Sequence, residues 1–190
     1  RLEFRRRYAD DDQPLVFYVG RLVYEKGLHV LLDSWPQVLA AFPKAQLVIA
    51  GTGAYLDSLK HRAWAMGITP SVTFAGFISD DDRDRLYYCV DLATFPSLYE
   101  PFGIVALEAM PACCPVVVAE TGGLNEVVKL HETGLTVHPN DPASLAWGIL
   151  HTLRHPEWSK ARAANALKVA RDAFNWRQIA SETNAVFQHT

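Results

Sequence analysis

A chain of 190 residues with 49% apolar side chains can bury one full core, so a single domain is its simplest organisation. Charged residues at 21% and a net charge of -3 lack the basic excess that a nucleic-acid surface requires. No apolar run approaches the ~18 residues of a bilayer span, and no signal peptide opens the chain. Cys89, Cys113 and Cys114, an odd set with two adjacent members, suit neither a disulfide framework nor a metal site. Reduced, mostly buried thiols in a cytoplasmic protein are the expectation.

Residues 1–14 read as a linker or leader: Arg5-Arg6-Arg7 is followed at once by Asp10-Asp11-Asp12, a solvated charge run. The opening without Met reads as the tail of something longer. Leu15 to Val19 is a short β-rich run ending at Gly20, as a buried parallel strand would. From Gly27 to about Phe42, Leu28, Leu31, Leu32, Trp35 and Leu39 recur at helical spacing, with Pro36 expected to kink or divide that helix. Gln46 to Ala50 is a second strand running into Gly51-Thr52-Gly53, and a helix follows from about Ala54 to Met66. A third strand, Ser71 to Ala75, leads to Gly76-Phe77-Ile78. Ser79 then caps a helix whose first turn is Asp80-Asp81-Asp82, where negative charge is favourable.

Leu92 to Phe95 and Pro115 to Ala119 supply a fourth and a fifth strand, and Gly134 to Val137 a sixth. Gly122-Gly123 opens a short helix, and the remainder is helical, ending in an amphipathic segment from Trp176 to Phe187. Strand and helix alternate about six times with short connections, which calls for an α/β fold with a doubly wound, Rossmann-like parallel sheet. Such sheets bind ligands outside the carboxyl ends of their strands. The glycine-bearing turns at Gly20, Gly51, Gly76 and the loop from Ser97 to Gly103 all follow strands at that edge.

Glu100-Pro101-Phe102-Gly103-Ile104-Val105-Ala106-Leu107-Glu108-Ala109-Met110 places two carboxylates eight positions apart at a helix start. A chain entering a helix leaves free N–H groups, here near Phe102, Gly103 and Ile104, and these bind anions. Carboxylates only accept hydrogen bonds, so Glu100 and Glu108 suit hydroxyl groups rather than phosphate. An anion cradle beside hydroxyl acceptors describes a pocket for a phosphorylated sugar. After the first strand, Gly20 permits a close turn while Arg21 and Lys26 set two cations over the same edge. Fixed cations stabilise a diphosphate most as its bond to a sugar breaks. The alternative is a surface loop in which Glu25 pairs with one of them.

These segments resemble the retaining glycosyltransferases of the two-domain GT-B fold, especially family 4 and its glycogen- and starch-synthase members. The resemblance runs from about Leu15 to the C-terminus and covers the donor half, so residues 15–190 are expected to be a nucleotide-sugar binding domain. It implies that Arg21 and Lys26 grip the diphosphate, that Glu100 touches the transferred sugar and that Glu108 touches the ribose. Gly76-Phe77-Ile78-Ser79-Asp80 is similar to the segment that holds the nucleobase, with backbone groups near Ile78 and the Asp80 side chain as contacts. Phe77 as a core residue is the alternative there. Cys113 stands where the family usually has glycine, and Pro111 is unusual in such a helix. Phe174-Asn175-Trp176-Arg177 resembles the closing segment that crosses back onto the acceptor half.

The resemblance further implies a nucleoside-diphosphate sugar donor, UDP- or ADP-glucose with mannosyl transfer from a GDP donor as the alternative, a saccharide or glycan acceptor, and no cofactor or metal. Asp80-Asp81-Asp82 reads as a capped helix start rather than a metal site, and the seven histidines have no ligand spacing. A dinucleotide-dependent oxidoreductase fails on the first turn, which lacks Gly-x-Gly-x-x-Gly, and a P-loop is absent. A sugar-nucleotide epimerase and a binding module without transfer activity are the rivals. An acceptor half is not visible, so binding without turnover is expected of these 190 residues alone.

Overall fold

Short apolar runs buried on both faces become the strands of one sheet. The computed structural model describes the backbone over residues 2–187 and side-chain surroundings from residue 2 to residue 172. The strands are β1 (Leu15–Val19), β2 (Gln46–Ala50), β3 (Val72–Gly76), β4 (Leu92–Phe95), β5 (Val116–Ala119) and β6 (Leu135–Val137). They pair in the order β3-β2-β1-β4-β5-β6, every pair parallel. Central strands such as Leu-Val-Phe-Tyr-Val in β1 and Val-Val-Val-Ala in β5 are apolar throughout, as burial on both faces demands. β3, at the edge, tolerates Thr73 and is only partly covered.

The helices are α1 (Leu2–Arg5), α2 (Leu28–Ala41), α3 (Leu56–Ala65), α4 (Asp80–Cys89), α5 (Ile104–Ala109), α6 (Gly122–Val127), α7 (Pro142–Arg154) and α8 (Pro156–Phe187). α2 and α7 pack on each other, α7 covers β4, β5 and β6, and α4 packs on β1. Ser79 caps α4 as expected, its Oγ accepting from the Asp82 N–H at 3.1 Å. Cys89 and Cys114 are buried and Cys113 is exposed.

Two expectations are corrected. Pro36 does not divide its helix, because it lies on the solvent face. The opposite face, with Leu28, Leu31, Leu32, Trp35 and Val38, is buried and holds α2 together, and Trp35 Nε1 donates to Ser71 Oγ at 2.9 Å. Secondly, the Arg5-Arg6-Arg7 run is not solvated throughout. Arg5 is 8% exposed and donates to the Cys89 carbonyl at 2.6 Å and to the Asp91 carboxylate at 2.9 Å. Asp91, at the entry to β4, also accepts from the Leu15 N–H, so one carboxylate ties the N-terminus to two strands. Arg6, paired with Asp11, and Arg7 are exposed charges.

The glutamate helix is only six residues long. It passes into a 3-10 turn, Met110–Ala112, where Pro111 sits in the first turn and its missing N–H is harmless. Cys113 then takes the left-handed conformation at φ 51 and ψ 36, the geometry that a glycine would supply. Replacing Cys113 with glycine removes the Cβ penalty at the expense of some backbone entropy. A stabilisation of roughly 0.5–1 kcal/mol is expected, read as a raised Tm, and a lowered Tm would contradict it.

Candidate functional site

Strand order reverses between β1 and β4, and the loops leaving those two strands meet at the crevice so formed. Their backbones are stitched together: the Leu98 N–H donates to the Glu25 carbonyl at 2.8 Å. Gly27, at φ 69, approaches the Pro96 carbonyl so closely that a Cβ would collide with it. The result brings Lys26 against Glu100, Nζ to Oε2 at 2.6 Å, with side chains only 16% and 9% exposed. Glu25 contributes its carbonyl to the loop and, among the described residues, pairs with neither cation.

Arg21 is exposed and makes no ion pair among the described residues. It stands between two adjoining cavities of about 300 and 210 Å³, which share Val19, Gly20 and Arg21. The first has Gly51 and Thr52 at one wall and Phe77, Ile78 and Asp80 at the other. The second contains Lys26, Glu100 and Tyr18. Tyr18 donates its hydroxyl to the Arg21 carbonyl at 3.0 Å, which fixes the turn. Burial raises the Tyr18 phenol, with Glu100 adding to the effect, so it stays a donor.

Phe77 is 82% exposed at the rim, which corrects the reading of it as a core residue, and Ile78 is half-buried. The Asp80 side chain is fully solvated apart from Arg83, which it meets at 3.2 Å. Asp81 pairs with Arg85, so the acidic turn is a capped, ion-paired helix start. Arg83 had not been anticipated. It lines the larger of the two cavities and also approaches Glu108 at 4.0 Å. Lying three residues beyond Asp80 puts it on the same helix face, the one signal in the sequence that points to it.

Glu108 lies on the far side of Arg83, in a neighbouring cavity of about 390 Å³ between α4 and α5 that also touches Ile104. Partial burial raises its carboxyl above the usual range, while Arg83 pulls it back. Phe102 is exposed and Gly103 buried, and neither lines these cavities. The N–H groups of Phe102, Gly103 and Ile104 make no hydrogen bond among the described residues. A six-residue helix has little macrodipole, so these N–H groups act as individual donors. The loop is fixed by α6: the Gly123 N–H donates to the Glu100 carbonyl at 2.8 Å, and the Gly122-Gly123 backbone lies directly against residues 100–103.

Among the described residues no group of three or more His, Cys, Asp or Glu is arranged to hold a metal ion. No helix among them is long and apolar enough to cross a membrane. The Phe174 to Arg177 side chains lie outside the described residues; the backbone there continues α8.

This geometry has counterparts. The chain is 40% identical over 189 residues to an uncharacterized glycosyltransferase of Methanocaldococcus jannaschii, covering 99% of this chain and 48% of that protein. It is 36% identical over 172 residues to a glycogen synthase of Mycobacterium tuberculosis, covering 90% of this chain and 42% of that one. The chain thus spans about half the length of the curated relatives it matches. The solved structure of Anabaena HepE in complex with UDP-glucose overlays with a TM-score of 0.81 at 27% identity, over 92% of this chain and 49% of that one. The fold is that of the C-terminal domain of GT-B glycosyltransferases. The family model described as "Glycosyl transferases group 1" matches residues 1–169, and the chain belongs to that family.

Proposed function

We propose that the chain is the donor-binding half of a retaining, metal-independent family 4 glycosyltransferase that takes UDP- or ADP-glucose and passes the hexose to a sugar or glycan acceptor. The observation that carries this reading is the Lys26–Glu100 pair at 2.6 Å beside the unpaired Arg21, at the switch point of a parallel sheet. A diphosphate laid over Arg21 takes Lys26 away from Glu100, and the freed carboxylate accepts from sugar hydroxyls. Both cations stabilise the charge that grows on the departing diphosphate. The free N–H of Ile104, which lines the Glu108 cavity, adds a donor. The nucleobase lies against Phe77 and Ile78, and Glu108 takes the ribose hydroxyls. HepE with UDP-glucose and the glycogen synthase relative support a glucosyl donor.

An acceptor-binding half is expected to complete the cleft, and these residues alone to bind without turnover. Glycosyl transfer to a defined acceptor by the 190-residue chain would refute that division. Glu108→Ala should weaken binding of the free nucleotide by roughly tenfold, the loss of a charged hydrogen bond. Glu100→Ala should act mainly on the intact sugar donor. Calorimetry on both variants checks this, and equal losses for free nucleotide would contradict it.

A further inference from the structure

Arg162, at the start of α8, is 6% exposed, yet no carboxylate pairs with it among the described residues. Among the described residues its guanidinium makes one hydrogen bond, from Nη2 to Ser159 Oγ at 3.3 Å. Burying a guanidinium without an anion is unfavourable by several kcal/mol, so a position like this is normally completed by one. The side chain faces a cavity of about 270 Å³ together with His131, Trp158 and Asn165. That cavity shares no lining residue with the two cavities around Arg21.

Its walls are built rather than incidental. His131 is held in the left-handed region at φ 62, with its N–H on the Gly134 carbonyl at 2.9 Å. Asn165 Nδ2 donates to the Glu132 carbonyl at 3.1 Å, tying α8 to this loop. Behind them lies His151, ring centroids 6.0 Å from His131 and 5.7 Å from Trp158, with a buried Nδ1 that has no hydrogen-bond partner among the described residues. A fixed cation, the His131 imidazole, an amide and the Trp158 ring thus line one small space, with His151 in the layer behind.

We infer that this cavity is a second anion site, separate from the donor groove, that takes a phosphate group. The planar guanidinium offers the paired N–H donors that fit phosphate oxygens. The His131 imidazole adds an N–H donor, and the exposed Trp158 ring gives a flat apolar wall for whatever carbon the phosphate carries. Burial alone lowers Arg162, and burial first, then His155, Arg162 and His131, lowers His151. An arriving dianion reverses both.

The test is an NMR titration of the labelled chain with sodium phosphate against sodium chloride at matched ionic strength, following imidazole and indole resonances. Saturable shifts at His131, His151 and Trp158 are expected with phosphate and not with chloride. Arg162→Met keeps the packing and should weaken the effect about tenfold or more. Arg162→Lys should retain a weaker, saturable response, and Arg21→Ala an unchanged one. A glycerol phosphate arm identifies the source: tighter binding than inorganic phosphate assigns the site to a phosphate ester, equal or weaker binding to free phosphate. The inference falls if the folded chain shows no saturable shift. It falls equally if chloride reproduces the shift, if Arg162→Met binds phosphate as well as the parent, or if Arg21→Ala abolishes the response.

Discussion

Lys26→Ala is expected to weaken the fold and the diphosphate site together. Its ammonium is the partner of a carboxylate that is almost fully buried, Glu100 being 7% exposed. Removing one member of a buried ion pair leaves the other uncompensated, and such losses run to about 3–5 kcal/mol. The same substitution deletes a charged donor to the diphosphate, worth about 1.5–3 kcal/mol, or tenfold to more than a hundredfold in affinity. Urea unfolding reads the first effect and calorimetry with UDP the second. The double variant Lys26→Met with Glu100→Gln separates them, since it should recover most of the stability without recovering affinity. Unchanged diphosphate affinity in Lys26→Ala and in Arg21→Ala would remove both cations from the site.

Gly51→Ala is expected to damage the groove through the backbone. Gly51 has φ 131, and a Cβ there would run into the carbonyl oxygen of Gly20. The turns after β1, β2 and β3 are held to one another at this point. The Gly20 N–H donates to Ala50 at 3.1 Å, Leu22 to Thr52 at 2.8 Å and Gly51 to Gly76 at 2.7 Å. Neither backbone can yield without displacing Arg21. Stability should fall by more than about 1 kcal/mol. Diphosphate affinity should fall by at least tenfold, since small misplacements of a binding group carry losses of about that size or larger. Gly67→Ala is the control: it has φ 70 but nothing within 4 Å of an added Cβ. Backbone strain alone should lower its Tm and leave binding unchanged. Equal binding losses in both variants would show that the collision is not the cause.

The layered fold was legible because each strand is a short apolar run closed by a glycine or loop, and each helix repeats its apolar residues every three or four positions. Cys113, standing where the related family has glycine, marked the helix end as unusual, but its left-handed backbone is known only from the structure. What could not be read depends on distance across the fold. Arg5 lies 86 positions from Asp91, and nothing local marks it as buried. Lys26 and Glu100 are 74 apart, so their mutual pairing follows only from the strand order that brings two loops together. Pro36 misled because its effect depends on which helix face it occupies. Arg83 was hidden inside Asp-Asp-Asp-Arg-Asp-Arg, where the acidic cap explained the charges and left the arginine unremarked.

The crevice beside Arg21, Lys26 and Glu100 is expected to hold a nucleoside diphosphate and its sugar. The most direct test is calorimetric titration of the chain with UDP, ADP and GDP, then with the matching sugar nucleotides, all in the presence of a chelator. Saturable binding with a preference for UDP or ADP, extended by the glucose-bearing form and lost in Arg21→Ala, is the expected result. Absence of binding to every one of these ligands, both in this chain and in a longer protein that carries its acceptor half, would contradict it.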